Sequence, residues 1–167
     1  TLKVFDIKGY SIEVKRFKKE EQRKQADAQS INFTKHNPCT FTIELPTTMR
    51  LSLLDSSPDY CDYIVSLNDG FSIIELHSLN NARFNYDAIK DLYQAAIRGS
   101  KLNVTYKTQS SNWFVISGIN KENGNIVYWK RILGTNFISD LHIEYPPSRK
   151  SQIEKYIGRI SKSFLSY

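Results

Sequence analysis

The chain has 167 residues, of which 40% are hydrophobic and 13% aromatic, so it can bury a core and is not a largely disordered protein. No apolar run reaches the ~20 residues that a membrane helix needs, so we expect no transmembrane segment. The net charge of +6 is uneven, because residues 1–35 carry nine Lys or Arg against five Asp or Glu. The sequence begins at Thr1, which indicates a processed chain, and we expect that an export signal has been removed.

Residues 1–30 are predicted to form a charged N-terminal extension to a single α+β domain over residues 31–167. Within the extension, residues 2–7 and 10–17 alternate like strands, and a helix over 12–28 is the alternative for the second segment. Its densest basic cluster mixes both signs of charge, which favours a solvated segment or a protein-recognition surface over a nucleic-acid or anionic-lipid site. The basic residues singled out there are Lys15, Arg16, Lys18 and Lys19.

Two hairpins are predicted in the first half of the domain. The first turns at Asn37-Pro38 and the second at Asp69-Gly70, because both dipeptides favour tight turns. A short strand and a loop separate the hairpins. The predicted strands are 31–34, 41–45, 51–54, 63–67 and 71–76, with a loop over 55–59.

Residues 112–145 are predicted to form an antiparallel meander of three strands at the centre of the fold. Residues 113–116 are a continuous apolar run, which is typical of a strand covered on both faces. Asn123-Gly124 is the clearest hairpin turn of the chain, and Pro146-Pro147 ends the third strand.

Two helices are predicted to pack on this sheet, with a strand over residues 102–106 between them. The first spans 86–98, with Asn85 as its N-cap and Gly99 beyond its end. The second spans 149–163 with Ser148 as its cap. Their apolar stripes are Ile89, Leu92, Tyr93, Ala96 and Ile97, and Ile153, Tyr156, Ile157, Ile160 and Phe164.

Catalytic and metal-binding motifs are not recognisable in the sequence. His36, His77 and His142 have no partner at ligand spacing, and we interpret them as structural or exposed. The loose group Asp59, Asp62 and Asp69 is interpreted as loop polarity. We therefore predict a protein that is not an enzyme and that needs no cofactor.

The two cysteines, Cys39 and Cys61, lack the CxxC spacing of redox or zinc motifs. From the residues alone they are either two buried free thiols or, in an exported protein, a disulfide. Among the abundant aromatics, Tyr60, Tyr128 and Trp129 are candidates for a recognition surface. Tyr128 and Trp129 are adjacent on one strand and must point to opposite faces, so one of them lies on a surface or under a helix, and packing in the core is favoured over recognition.

Six segments together resemble a group of small exported bacterial proteins, which are similar in plan to the PsbP-like α/β/α sandwich shared by photosystem PsbP subunits and a yeast Ran-binding import factor. These segments are FTIELP (41–46), DYIVSLNDGFSIIEL (62–76), VTYKTQSSNWFVISG (104–118), IVYWKRI (126–132), LHIEYPPS (141–148) and IGRISKSF (157–164).

The resemblance implies an antiparallel sheet packed against two main helices, as in the PsbP-like sandwich. It also implies a periplasmic or secreted protein, and therefore a Cys39–Cys61 disulfide. The function that we expect is a non-enzymatic binding module of the bacterial cell envelope whose partner is another protein. The alternatives are a partner-specific inhibitor or immunity protein, a secretion-system accessory protein, and a hydrolase with an unrecognised site.

Overall fold

The computed structural model describes residues 31–67, 70, 72–81 and 89–167. The predicted N-terminal extension, the turn at Asp69 and the helix cap at Asn85 lie outside the described residues. No helix in the described part of the chain is both long and apolar enough to cross a membrane.

The described residues form an α+β domain with two antiparallel sheets. Its elements are β1 (Phe33–His36), β2 (Phe41–Pro46), β3 (Arg50–Ser57), β4 (Tyr60–Ser66), β5 (Ile73–Asn80), α1 (Ile89–Gly99), β6 (Leu102–Gln109), β7 (Trp113–Asn120), β8 (Ile126–Leu133), β9 (Phe137–Tyr145), α2 (Lys150–Ser163) and β10 (Leu165–Ser166). The small sheet has the order β1-β2-β10, and the large sheet has the order β3-β4-β5-β9-β8-β7-β6. The predicted fold class is therefore confirmed.

The predicted meander is confirmed as β7, β8 and β9, which pair in sequence order inside the large sheet. Gly124 has a φ of 74°, the left-handed conformation that the Asn-Gly turn predicted. Phe114, Val115 and Ile116 are all buried, so β7 is covered on both faces as its apolar run indicated.

One face of the large sheet, which we call the core face, packs against the small sheet and α2. Its main hydrophobic cluster contains Leu76 and Ile143 from the sheet, Ile43 from β2, and Ile153 and Ile160 from α2. The apolar stripe that predicted the second helix is thus the stripe that α2 buries.

The opposite face, which we call the α1 face, is only half covered by the described residues. Helix α1 packs Leu92, Tyr93 and Ala96 against Phe114 and Ile116 of β7. We call the uncovered part, over β4, β5 and β9, the open half. There Ile73 and Leu79 on β5 remain 43% and 39% exposed.

Three local predictions are wrong at element boundaries. Residues 55–57 are not loop, because they continue β3 and pair with residues 60–62, which leaves only Pro58 and Asp59 as the turn. Ser148 does not cap α2, since it lies in a 3₁₀ turn that begins at Pro147, and the helix starts without a side-chain cap. Gly99 is the last residue of α1 and does not follow it.

The two sheets are joined by a disulfide and by a chain of hydroxyl groups. Cys39, at a φ of 50° in the turn between β1 and β2, is bonded to Cys61 of β4. Beside it, the Thr40 hydroxyl contacts the buried hydroxyl of Ser78, which lies 3.2 Å from that of Ser139. Ser139 is in turn 2.9 Å from the hydroxyl of Ser166 in β10.

Candidate functional site

A cleft of about 480 Å³ lies on the α1 face, where the C-terminal end of α1 meets the open half. It is lined by β5, β8 and β9, by the end of α1 and the start of β6 (residues 99–102), and by the last residue of β7. The lining residues are Glu75, His77, Gly99, Ser100, Lys101, Leu102, Asn120, Val127, Trp129, Arg131, Asp140, His142 and Glu144.

Strand register brings the polar side chains of the cleft together. Glu75 of β5 pairs with His142 of β9, and His142 pairs with Trp129 of β8. The next row of the same face contains His77, Asp140 and Arg131. Because side chains two residues apart on a strand share a face, these two rows form one continuous polar surface.

Two neighbouring side chains hold the carboxylate of Asp140 in place at one wall of the cleft. Arg131 donates to both of its carboxylate oxygens, at 2.8 and 2.7 Å, and the indole Nε1 of Trp129 donates to Oδ1 at 2.6 Å. The guanidinium of Arg131 also stacks over the Trp129 ring, 5.0 Å from its centroid. Asp140 and Arg131 neutralise each other in this bidentate pair, and the indole is held in one orientation.

The two histidines of the cleft each face a carboxylate. His77 Nδ1 lies 2.8 Å from Asp62 Oδ1, within hydrogen-bond distance. His142 Nδ1 is 3.7 Å from Glu75 Oε2, too far for a hydrogen bond, and this nitrogen is buried with no hydrogen-bond partner among the described residues. Asp62 lies on β4 and pairs with His77, so its interpretation as loop polarity is wrong.

The hairpin between β7 and β8 orients Glu144. The side-chain amides of Asn123 and Asn125 donate to its Oε1 at 2.7 and 2.9 Å, and that of Asn120 approaches at 3.5 Å. Among the described residues, no side chain donates to the second oxygen, Oε2. The turn that the sequence predicted most clearly therefore serves the cleft by holding one carboxylate in place.

In the described part of the chain, the two histidines of the cleft lack the partners that nucleophilic or metal-dependent catalysis would need. No Ser, Thr or Cys side chain there hydrogen-bonds to His77 or His142, so neither histidine has an adjacent nucleophile to activate. Both cysteines of the chain are joined to each other. Across the described residues, no three or more His, Cys, Asp or Glu side chains form a group that could hold a metal ion.

The structure places the predicted recognition residues in different parts of the molecule. Trp129 lines the cleft, whereas Tyr128 points to the core face, and its hydroxyl lies 2.5 Å from that of Ser161 on α2. Burial raises the pKa of Tyr128. Tyr60 lies on β4 and donates to Asp55 at 2.6 Å, and this hydrogen bond raises its pKa.

The remaining predicted site residues are four basic side chains of the extension and the two cysteines. Lys15, Arg16, Lys18 and Lys19 lie outside the described residues. The Cys39–Cys61 disulfide is confirmed.

Sequence reasoning missed the association of His77 with His142 and their carboxylates. The four residues Asp62, Glu75, His77 and His142 come from three different strands, and they meet only because β5 pairs with β4 on one side and with β9 on the other. A strand was predicted over residues 71–76, which includes Glu75 and stops before His77, and no local signal predicted that strand β9 would be its neighbour.

No protein-family model matches the sequence, and no curated protein matches it. Among solved structures, the chain is similar to the solution structure of cyanobacterial PsbP (CyanoP) from Synechocystis sp. PCC 6803. The match has a TM-score of 0.53 at 10% identity and covers 82% of this chain and 94% of that chain. At this identity the likeness establishes architecture alone. The chain has a PsbP-like fold.

Proposed function

We propose that this chain is a non-enzymatic binding module, periplasmic or secreted, that recognises another protein through the open half of the α1 face. The observation that carries this proposal is the cleft, whose Glu75 and Glu144 present carboxylate oxygens without a hydrogen-bond partner among the described residues. Beside them, Ile73 and Leu79 add exposed apolar surface on β5. Apolar side chains next to unpaired polar groups are typical of a protein-recognition surface.

Two observations support export. The Cys39–Cys61 disulfide is of the kind that persists in oxidising compartments and is rare in the cytosol. The sequence also resembles small exported bacterial proteins across residues 31–164. Trapping of free thiols in intact cells of the native organism, followed by fractionation, tests this part. A reduced pair in the cytosolic fraction would refute it.

Site-specific crosslinking in living cells tests the recognition surface. A photoreactive amino acid at Ile73 or Leu79 should crosslink the same partner protein, because both side chains are exposed in the open half. The same amino acid at Lys162, exposed on α2 on the other side of the large sheet, is the matched control and should give no such product. Equal crosslinking from all three positions, or none from any, would contradict the proposal.

A hydrolase is the second candidate function, and one observation favours it. The Asp62–His77 hydrogen bond is made through Nδ1, and a carboxylate bound there orients a histidine to act as a general base through Nε2. In that case Asp62→Asn would abolish activity on a panel of ester, amide and phosphate substrates, while the crosslinking pattern at Ile73 would persist. If the wild type turns over none of these substrates, this alternative is wrong.

A further inference from the structure

We infer that the cleft binds an alkyl cation, namely the ammonium group and aliphatic stem found in a lysine side chain or in a free polyamine, with Glu75 and Glu144 as its counter-ions. This rests on the proposed function, because it names the chemical group that the same cleft would recognise in a partner.

The cations that line the cleft are paired with carboxylates, whereas two of its carboxylates have no Lys or Arg partner among the described residues. Among its lining residues, Arg131 is paired with Asp140 through two hydrogen bonds. Lys101 lies at the rim, largely exposed, and is paired with Glu122 at 2.6 Å. Both permanent cations of the lining are therefore already neutralised, whereas neither Glu75 nor Glu144 has a Lys or Arg partner among the described residues.

In the part of the chain that the structure describes, the immediate surroundings of these two carboxylates contain no Lys or Arg that pairs with them. Glu75 faces His142 at 3.7 Å without a hydrogen bond, and Glu144 accepts only from neutral amides, through one oxygen. A buried or half-buried carboxylate is stabilised by an opposite charge. The cleft of this basic chain, whose net charge is +6, thus presents negative charge and selects a cation over an anion.

The arrangement of the two carboxylates suits one ammonium group. Glu75 is opposite His142, and Glu144 is two residues beyond His142 on the same face, so the two are diagonal neighbours across β5 and β9. Diagonal neighbours in an antiparallel pair have their backbone positions about 7–8 Å apart, so an ammonium group that lies between the two strands is within reach of both side chains.

The apolar part of the lining accounts for the aliphatic stem. Leu102, Val127 and Trp129 line the same cleft, and the indole of Trp129 is held in place by Asp140. A long-chain amine can lay its methylene groups on such a surface while its charged end stays with the carboxylates. A hydrated metal ion would gain nothing from these side chains.

The indole N–H resonances give a direct assay on the full chain. Trp113 and Trp129 are its only tryptophans, and Trp113 packs into the core-face cluster on the opposite side of the sheet. In ¹H–¹⁵N spectra, titration with spermidine or with a short peptide whose only charged group is one central lysine should shift the Trp129 indole signal and leave that of Trp113 in place. The same peptide with its lysine acetylated is the ligand control, because acetylation removes the charge and preserves the stem.

Substitution of the counter-ions tests their role. Glu75→Gln and Glu144→Gln should each weaken binding about five- to ten-fold, as expected for the loss of one charged hydrogen bond in a half-buried site. Glu154→Gln, which removes a carboxylate from the exposed face of α2, is the matched control and should leave affinity unchanged.

The outcomes separate this inference from the proposed function. Binding of the lysine peptide but not of spermidine identifies a protein-borne cation, and the reverse identifies a free amine; either supports the inference. The inference would be overturned if neither ligand shifts the Trp129 indole signal. It would also be overturned if that signal still shifts in the Glu75→Gln/Glu144→Gln double variant. A chain that crosslinks a partner at Ile73 yet shows neither shift would retain the proposed function and lose this inference alone.

Discussion

Lys130 offers the sharpest test of the packing between the large sheet and α2. Its side chain points to the core face, where the residue is only 9% exposed. Its Nζ donates to the carbonyl oxygens of Ser161 and Phe164 at 2.6 and 3.1 Å, at the C-terminal end of α2. Burial lowers the pKa of this ammonium from 10.5 to about 8. The substitution Lys130→Met removes the titrating group and keeps an aliphatic chain of similar length.

The expected effect is a change in how stability depends on pH. Below about pH 8 the lysine is protonated in both the folded and the unfolded chain, so it contributes no slope. Between the folded pKa of about 8 and the unfolded value of 10.5, the unfolded chain binds more protons, and stability therefore rises with pH. From about pH 7.5 to about pH 9.5, this one group should add about 2 kcal/mol to the free energy of unfolding.

Urea unfolding of the wild type and of Lys130→Met at several pH values measures this difference. The wild type should gain about 2 kcal/mol on the variant across that interval, since all other titrating groups are shared. Lys162→Met, at an exposed position on α2, is the control and should run parallel to the wild type. Parallel curves for Lys130→Met and the wild type would refute the reasoning. Above about pH 10 all three should lose stability, because burial raises the pKa of Tyr145 to about 12 and the unfolded chain ionises first.

Three further predictions concern single contacts. Replacing both members of the Cys39–Cys61 bridge with Ala should cost about 3 kcal/mol in urea unfolding, because the bridge closes a loop with a separation of 22 residues; no loss in the variant would contradict this. Gly118→Ala should lower the melting temperature markedly and cost about 3 kcal/mol, because a Cβ there would lie 2.3 Å from a backbone oxygen of β6; an unchanged melting curve would show that the strands can separate. Asp140→Asn should cost about 2 kcal/mol and shift the indole N–H signal of Trp129, since it leaves the half-buried Arg131 without its carboxylate; an unmoved signal would refute that role.

Local sequence patterns predicted most of the elements because each pattern has a local cause. The meander followed from a continuous apolar run and from Asn123-Gly124, whose glycine adopts the positive φ that such a turn requires. Both helices followed from apolar stripes at helical spacing. The boundaries failed where two local signals compete, as at Pro147, which begins a 3₁₀ turn ahead of α2.

The cleft could not be predicted from local sequence patterns, because its residues meet only through the order of the strands in the sheet. The strand predicted over 71–76 covers the first half of β5, and the third strand of the meander was predicted where β9 lies, yet their pairing joins Glu75 to His142 across 67 positions of sequence. Tyr128 and Trp129 show the same limit. Their alternation predicted opposite faces, but only the packing of α2 over the core face shows that Trp129 is the one in the cleft.

The links between the two sheets have a consequence for how this domain loses its structure. Among the described strands, none of the small sheet pairs with one of the large sheet, so on backbone hydrogen bonds alone the small sheet could open as a separate unit. The Cys39–Cys61 bond and the hydroxyl chain from Thr40 to Ser166 couple β2 and β10 to the middle of the large sheet. Amide hydrogen exchange should therefore report one cooperative opening for β2 and β5 together, and reduction of the bond should let β2 exchange first.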